Sequence, residues 1–118
     1  MEVTIMESQT KLNEERVELL GKFKGIVPDF MAAEFAVIDL AYKDGALSTK
    51  IKRLMALAIA LRARCTNCIL AQTQLALEAG ATKEEIIETL QVVTAMSGTT
   101  GIAESLRVIK FLDEQGKL

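Results

Sequence analysis

The chain has no histidine and no tryptophan, one proline, one tyrosine and only two cysteines among its 118 residues. Each scarcity removes a class of chemistry or architecture. Without imidazole, the usual proton carrier near neutral pH and the commonest metal ligand are both missing. Aromatic residues make up 4% of the chain, so the core must be built from Leu, Ile, Val, Ala and Met, a choice that suits close-packed helices. One proline and few β-branched alternations argue against a large sheet. Fourteen Lys and Arg stand against 16 Asp and Glu, a formal net charge of −2. No basic cluster of the kind that nucleic acid demands is present. The longest apolar run, from Leu54 to Leu61, is bounded by Lys52, Arg53 and Arg62 and falls far short of the ~20 residues that cross a bilayer. Met1-Glu2-Val3-Thr4-Ile5 shows neither the basic n-region nor the apolar h-region of a secretory leader, so the expected compartment is the cytoplasm, with neither membrane nor nucleic acid as a partner.

What is present reads as one all-α domain, residues 1–118, of about six helices. Leu12, Leu19, Leu20 and Phe23 recur at helical spacing until Gly25. Pro28 suits a first helical turn, and the second segment runs to about Lys43 before Asp44-Gly45. Ser48 is placed to cap a third helix ending near Arg64. The fourth stops at Gly80. Thr82-Lys83-Glu84-Glu85 forms a capping-box pattern for the fifth, whose buried stripe is Ile86, Ile87, Leu90 and Val93. Ser97-Gly98-Thr99-Thr100-Gly101 interrupts, its small residues allowing close helix approach, and Ile102, Leu106, Ile109 and Leu112 mark a sixth helix to about Gln115. Met6, Met31, Met55 and Met96 read as core fillers. The third helix is apolar on every face across Leu54–Leu61. Such a helix is covered all round, and a domain this small can hardly do that alone, which predicts a homo-oligomer.

The chemistry-bearing pattern is Cys65-Thr66-Asn67-Cys68. The two cysteines are spaced to close a small disulfide ring, and they lie where a helix start favours thiolate over thiol. In a reducing compartment such a pair points to redox or metal use rather than a structural staple. A zinc site takes about four ligands, and one subunit offers two cysteines and no histidine. Redox use is therefore preferred, with no cofactor and no metal expected. A half zinc site completed by symmetry and a pair of buried small residues remain as the alternatives.

Leu47-Ser48-Thr49-Lys50, the apolar helix Leu54–Leu61, Cys65-Thr66-Asn67-Cys68-Ile69 and Leu77 through Ile86 together resemble the carboxymuconolactone decarboxylase family, and within it the alkylhydroperoxidase-D-like branch. The resemblance implies an all-helical subunit in a hexamer or trimer, hexamer favoured. It also implies a dithiol that cycles with its disulfide while a glutamate twelve residues before the first cysteine and a histidine four after the second relay protons. Cys65 and Cys68 carry over; the relay positions hold Arg53 and Gln72. A histidine that many relatives carry early in the last helix is Glu104 here.

Gln72 lies four residues from Cys68 and seven from Cys65, offsets that put all three on one helix face. Its amide can orient a thiol but cannot act as a general base, and the alternative is a polar residue at a subunit interface. Arg53 supplies a fixed cation that favours a nearby thiolate, or else forms an ion pair or interface contact. Glu104 is the remaining acid/base candidate, against an ordinary solvated or ion-paired carboxylate. The expectation is a thiol–disulfide oxidoreductase with peroxidase activity of the peroxiredoxin type. It would act on a small peroxide or disulfide in oxidative-stress defence and be served by a thiol-reductant protein partner, with Cys65 read as the more exposed sulfur. The alternatives are a non-catalytic oligomeric binding or scaffold protein that lost the relay, and a carboxymuconolactone-type decarboxylase, disfavoured by the missing histidine.

Overall fold

The computed structural model describes residues 5–118, so the reading of Met1–Thr4 as lacking a leader lies outside the described residues. Within them the chain forms six helices and no strand: α1 Gln9–Ile26, α2 Pro28–Tyr42, α3 Thr49–Ala63, α4 Thr66–Glu78, α5 Lys83–Ser97 and α6 Thr99–Glu114. None of these helices is long and apolar enough to cross a membrane.

The helix boundaries follow from local chemistry. Ser8 and Ser48 each accept a backbone N–H of their own first turn, and Thr82 and Glu85 close the capping box at the start of α5. Glu85 does more than cap. Its second carboxylate oxygen lies 2.8 Å from the Lys50 ammonium, tying α5 to α3, and the Lys50 contact leads the causes that hold its pKa below the ordinary value. Glu114, at the far end of α6, accepts the backbone N–H groups of Gln9 and Thr10 and so joins the two ends of the described chain. Gly25 does not end α1. An interior glycine only weakens a helix by about 1 kcal/mol, whereas Pro28 forces Val27 out of helical geometry (φ −130°, ψ 66°) and starts α2.

The core is centred on α3. Leu57, Ala60 and Leu61 meet Ile69 and Ala76 of α4, Ile86, Leu90 and Val93 of α5, and Val108 and Leu112 of α6. α1 packs on α4 and α6 through its first turns, burying Gln9 and Asn13, while its far end and α2 form an arm held partly by the Lys24 ammonium over the Phe35 ring, 4.0 Å from its centre. Met31 is the buried residue of α2, while Phe30, Val37 and Leu40 remain exposed, as do Leu19 and Phe23 of α1. This arm gives the subunit a radius of gyration of 15.1 Å, against about 13.5 Å for a compact domain of this length.

Two sequence readings need correction at the level of one subunit. α3 is not covered all round: Ile51, Met55 and Ile59 lie along one exposed edge, Ile59 at 67% exposure. Met55 and Met96 are not core fillers either, Met96 being 83% exposed, whereas Met31 is buried. These apolar side chains sit at helical spacing on faces that no helix among the described residues covers. Ile102 and Leu106 are exposed on α6 for the same reason.

α5 and α6 pack closely because Gly101 lets them. A Cβ there would stand 2.9 Å from the Val93 carbonyl oxygen and 3.0 Å from the Thr94 Cα, both fixed backbone atoms. Gly101→Ala is therefore expected to destabilise by about 1–2 kcal/mol, overpacking outweighing the better helix propensity of alanine. Urea unfolding at one fixed protein concentration checks this. A variant as stable as the parent would mean that the two helices are not tightly apposed.

Candidate functional site

The site is built where α3 hands over to α4. α3 ends in a left-handed turn: Arg64 takes φ 60°, ψ 38°. The Arg64 N–H donates to the Leu61 carbonyl and the Cys65 N–H to the Ala60 carbonyl, both at 3.1 Å. This is the paired Schellman closure of a helix end. Gly80 and Gly116 close α4 and α6 with the same bonds, but Arg64 is the one non-glycine residue with positive φ among those described.

Cys65 is next in line and becomes the N-cap of α4. Its carbonyl accepts the Ile69 N–H at 2.8 Å, and its sulfur accepts the Cys68 N–H at 3.3 Å. Both backbone polar groups of Cys65 are thus used, one in each helix, and its sulfur stands at the positive end of the α4 dipole. Ile69 and Leu70, fully buried just after the pair, pin the first turn of α4 to the core. Cys65 and Cys68 are joined as a disulfide with Cα atoms 5.2 Å apart, inside the usual range for such a bond. The expectation that Cys65 is the more exposed is overturned: Cys65 is half-buried and Cys68 exposed. Cys65 is the N-cap, its sulfur turned back over the helix end to accept the Cys68 N–H.

Gln72 is half-buried one turn beyond Cys68 on the same face. Its Oε1 accepts a hydrogen bond from the Arg53 guanidinium at 3.2 Å. Thus the residues at the two relay positions are in contact across α3 and α4. Arg53 also lies flat over the Tyr42 ring, 3.6 Å from its centre. Nothing in the sequence marks Tyr42: it sits in another helix and joins the site only through tertiary packing. Glu104 is held elsewhere. Its carboxylate pairs with Arg107 at 3.4 Å, and Arg107 in turn donates to Gln9 of α1 at 3.5 Å. Among the described residues no carboxylate is hydrogen-bonded to either sulfur, and no group of three or more His, Cys, Asp or Glu is gathered in a way that holds a metal.

The sequence model of the carboxymuconolactone decarboxylase family matches residues 28–111, most of the chain. The chain belongs to the carboxymuconolactone decarboxylase family. It is 33% identical over 86 residues to an uncharacterized protein of Cupriavidus necator, covering 73% of this chain and 76% of that one. It is also 33% identical over 82 residues to uncharacterized protein 4 in the cox locus of Paracoccus denitrificans, covering 70% and 74%. Among solved structures, the apo crystal structure of a carboxymuconolactone decarboxylase family protein from Legionella pneumophila superposes with a TM-score of 0.83 at 28% identity, covering 92% of this chain and 97% of that one. A Thermotoga maritima protein gives 0.76 at 30% identity, covering 89% and 92%. The all-helical family fold is therefore this chain's fold, and its C-x-x-C forms a disulfide within it.

Left-handed backbone costs a side-chain-bearing residue free energy that glycine does not incur. Arg64→Gly is expected to stabilise the protein by roughly 0.5–1 kcal/mol, read as a higher urea midpoint at fixed concentration. A loss of stability would mean that the arginine side chain contributes more at this turn than its backbone strain costs.

Proposed function

We propose that this member of the carboxymuconolactone decarboxylase family is a thiol–disulfide oxidoreductase with peroxidase activity, cycling Cys65 and Cys68 between dithiol and disulfide. The observation that carries the reading is the Cys65–Cys68 disulfide at the N-terminus of α4, with the Cys68 sulfur exposed and the Cys65 sulfur accepting a backbone N–H. Accessibility gives Cys68 the first contact with substrate. The Cys68 thiolate attacks one peroxide oxygen, breaking the O–O bond and releasing the alcohol, and becomes a sulfenic acid. The Cys65 thiolate then attacks the Cys68 sulfur and expels water, forming the disulfide. Two sulfurs have supplied the two electrons that reduce the peroxide.

A dithiol reductant, most simply a thioredoxin-like protein of the cytoplasm, reverses the sulfur chemistry. Its thiolate attacks the exposed Cys68 sulfur and displaces Cys65 as a thiolate. The N-terminus of α4 and the Cys68 N–H stabilise that leaving group, which speeds exchange. No histidine is needed for these sulfur steps; Gln72 orients, and Arg53 adds fixed positive charge on the same side.

A scaffold role without catalysis is the second reading, favoured by the Arg53–Gln72 contact at the relay positions and the engagement of Glu104 by Arg107. Peroxide consumption with a thioredoxin-type reductant separates the two. Cys65→Ser and Cys68→Ser are each expected to reduce turnover to that of the uncatalysed mixture. Cys65→Ser should also accumulate a sulfenic acid at Cys68, trapped by a dimedone-type reagent. Wild-type turnover in both variants would end the redox reading.

The functional unit under this reading is a homo-oligomer, a hexamer before a trimer. What supports it is the exposed edge of Ile51, Met55 and Ile59 on α3, beside Val92 and Met96 on α5. Of these, Ile59, Val92 and Met96 line an apolar groove of about 520 Å³ whose wall holds the buried, unpartnered Ser97 hydroxyl. Light scattering at micromolar concentration is expected to give a multiple of the 12.9 kDa subunit, and Ile59→Glu with Met96→Glu a smaller species. A stable wild-type monomer would refute the assembly.

A further inference from the structure

α3 opens with three cations, Lys50, Lys52 and Arg53, and no acidic residue in its first turn. That is the wrong sign for a helix N-terminus, where the macrodipole disfavours positive charge. Two of the three are compensated. Lys50 pairs with Glu85 at 2.8 Å. Lys52 lies near Asp44 and donates to the Lys43 carbonyl at 2.6 Å. Arg53 meets no carboxylate among the described residues.

Its surroundings nevertheless fix it in place. The ring of Tyr42 lies against one face of the guanidinium, and Gln72 takes a single hydrogen bond at 3.2 Å. A guanidinium carries five N–H donors, and the rest of the fork finds no protein acceptor among the described residues. Stacking and one amide contact orient a planar cation while leaving its charge unneutralised. Gln72 is one helical turn from Cys68, on the same face of α4, so the side chain that holds the Arg53 fork also shares a face with the exposed cysteine.

We propose that Arg53 forms an anion subsite beside the dithiol and that the preferred small substrate carries a carboxylate. The fork of an arginine matches two coplanar carboxylate oxygens. One guanidinium balances one carboxylate charge, whereas a phosphate monoester, near −1.5 to −2 at pH 7, would be left under-neutralised because no second cation shares the Tyr42–Gln72 clamp. This inference rests on the redox reading above and adds the substrate class. With a carboxylate-bearing disulfide, the Cys68 thiolate attacks one sulfur and expels the first thiolate, forming a mixed disulfide. Cys65 then attacks the Cys68 sulfur and expels the second. The substrate has gained two electrons, its two thiolates take up protons from solvent, and the protein holds the Cys65–Cys68 disulfide.

The test compares two alkylating agents on the reduced protein, anionic iodoacetate and neutral iodoacetamide. Both report the same thiolate population, so their rate ratio isolates attraction for the anion. Arg53→Gln is expected to lower the iodoacetate-to-iodoacetamide ratio by about tenfold, the size of one charge-assisted contact. Arg64→Gln, which removes a cation adjacent to Cys65, should change it by less than about twofold, as expected of an exposed charge in water. Propionate, a monocarboxylate, should slow iodoacetate saturably and leave iodoacetamide untouched. An unchanged ratio in Arg53→Gln, an equal fall in Arg64→Gln, or no saturable propionate effect overturns the subsite. Should Arg53→Gln fail to fold, Arg53→Lys, which keeps the charge and loses the fork, decides by the same ratio, with a fall expected.

The redox reading fails separately. Reduced wild-type protein should be oxidised faster by dithiodiglycolate than by hydroxyethyl disulfide, and Arg53→Gln should lose that preference. If neither disulfide oxidises the dithiol while the alkylation ratios behave as stated, the redox mechanism is wrong and the anion subsite stands. Equal rates with the two disulfides in the wild type would overturn the substrate preference.

Discussion

The dithiol depends on a backbone junction. Cys65 donates its N–H into the last turn of α3 and accepts, with its carbonyl, from the first turn of α4, so no slack remains between the two helices. The residue before it must adopt left-handed geometry for those bonds to form, and here that residue is an arginine. Because α3 lies at the centre of the core and Ile69 and Leu70 bury the start of α4, the sulfurs are held by the best-packed part of the subunit. Bringing both cysteines to disulfide distance then needs only the helix start itself. A disulfide held at the end of so well-packed an element rests on a preorganised backbone, as the proposed redox role requires.

Electrostatics around that junction differ from the relay that the family resemblance implies. A carboxylate and an imidazole move protons; Arg53 and Gln72 do not. Their mutual hydrogen bond and the Tyr42 stack turn the same region into a fixed, oriented positive charge. Under the proposed function, such a charge attracts anionic substrates without taking part in proton transfer. Glu104 is absorbed into a different task, joining Arg107 and Gln9 where α6 meets α1.

Much of this was legible in the sequence because it is local. The cap residues Ser48 and Thr82, the stop at Gly80 and the placement of Cys65 at a helix start follow from side chains acting on backbone within one turn. The face shared by Cys68 and Gln72 follows from helical period alone. What escaped was tertiary or energetic. Gly25 looked like a breaker, but Pro28 decided the boundary through its effect on Val27. Met55 and Met96 were apolar at the right spacing, yet apolarity does not say whether the covering surface belongs to the same subunit. The stack of Tyr42 on Arg53 needs the α2–α3 geometry, and the left-handed Arg64 contradicts the usual glycine signal for a helix end. Which of the two cysteines is the more exposed depends on tertiary packing around the helix start, which spacing alone leaves open.

The central claim is that Cys65 and Cys68 form a reversible redox couple. Its most direct test equilibrates the protein in thiol–disulfide buffers poised between about −180 and −300 mV and counts alkylated against disulfide-bonded chains by mass spectrometry. The account predicts one reversible two-electron transition inside that window, identical whether approached from the reduced or the oxidised protein. A pair that stays fully disulfide-bonded, or fully reduced, across the whole range would contradict it.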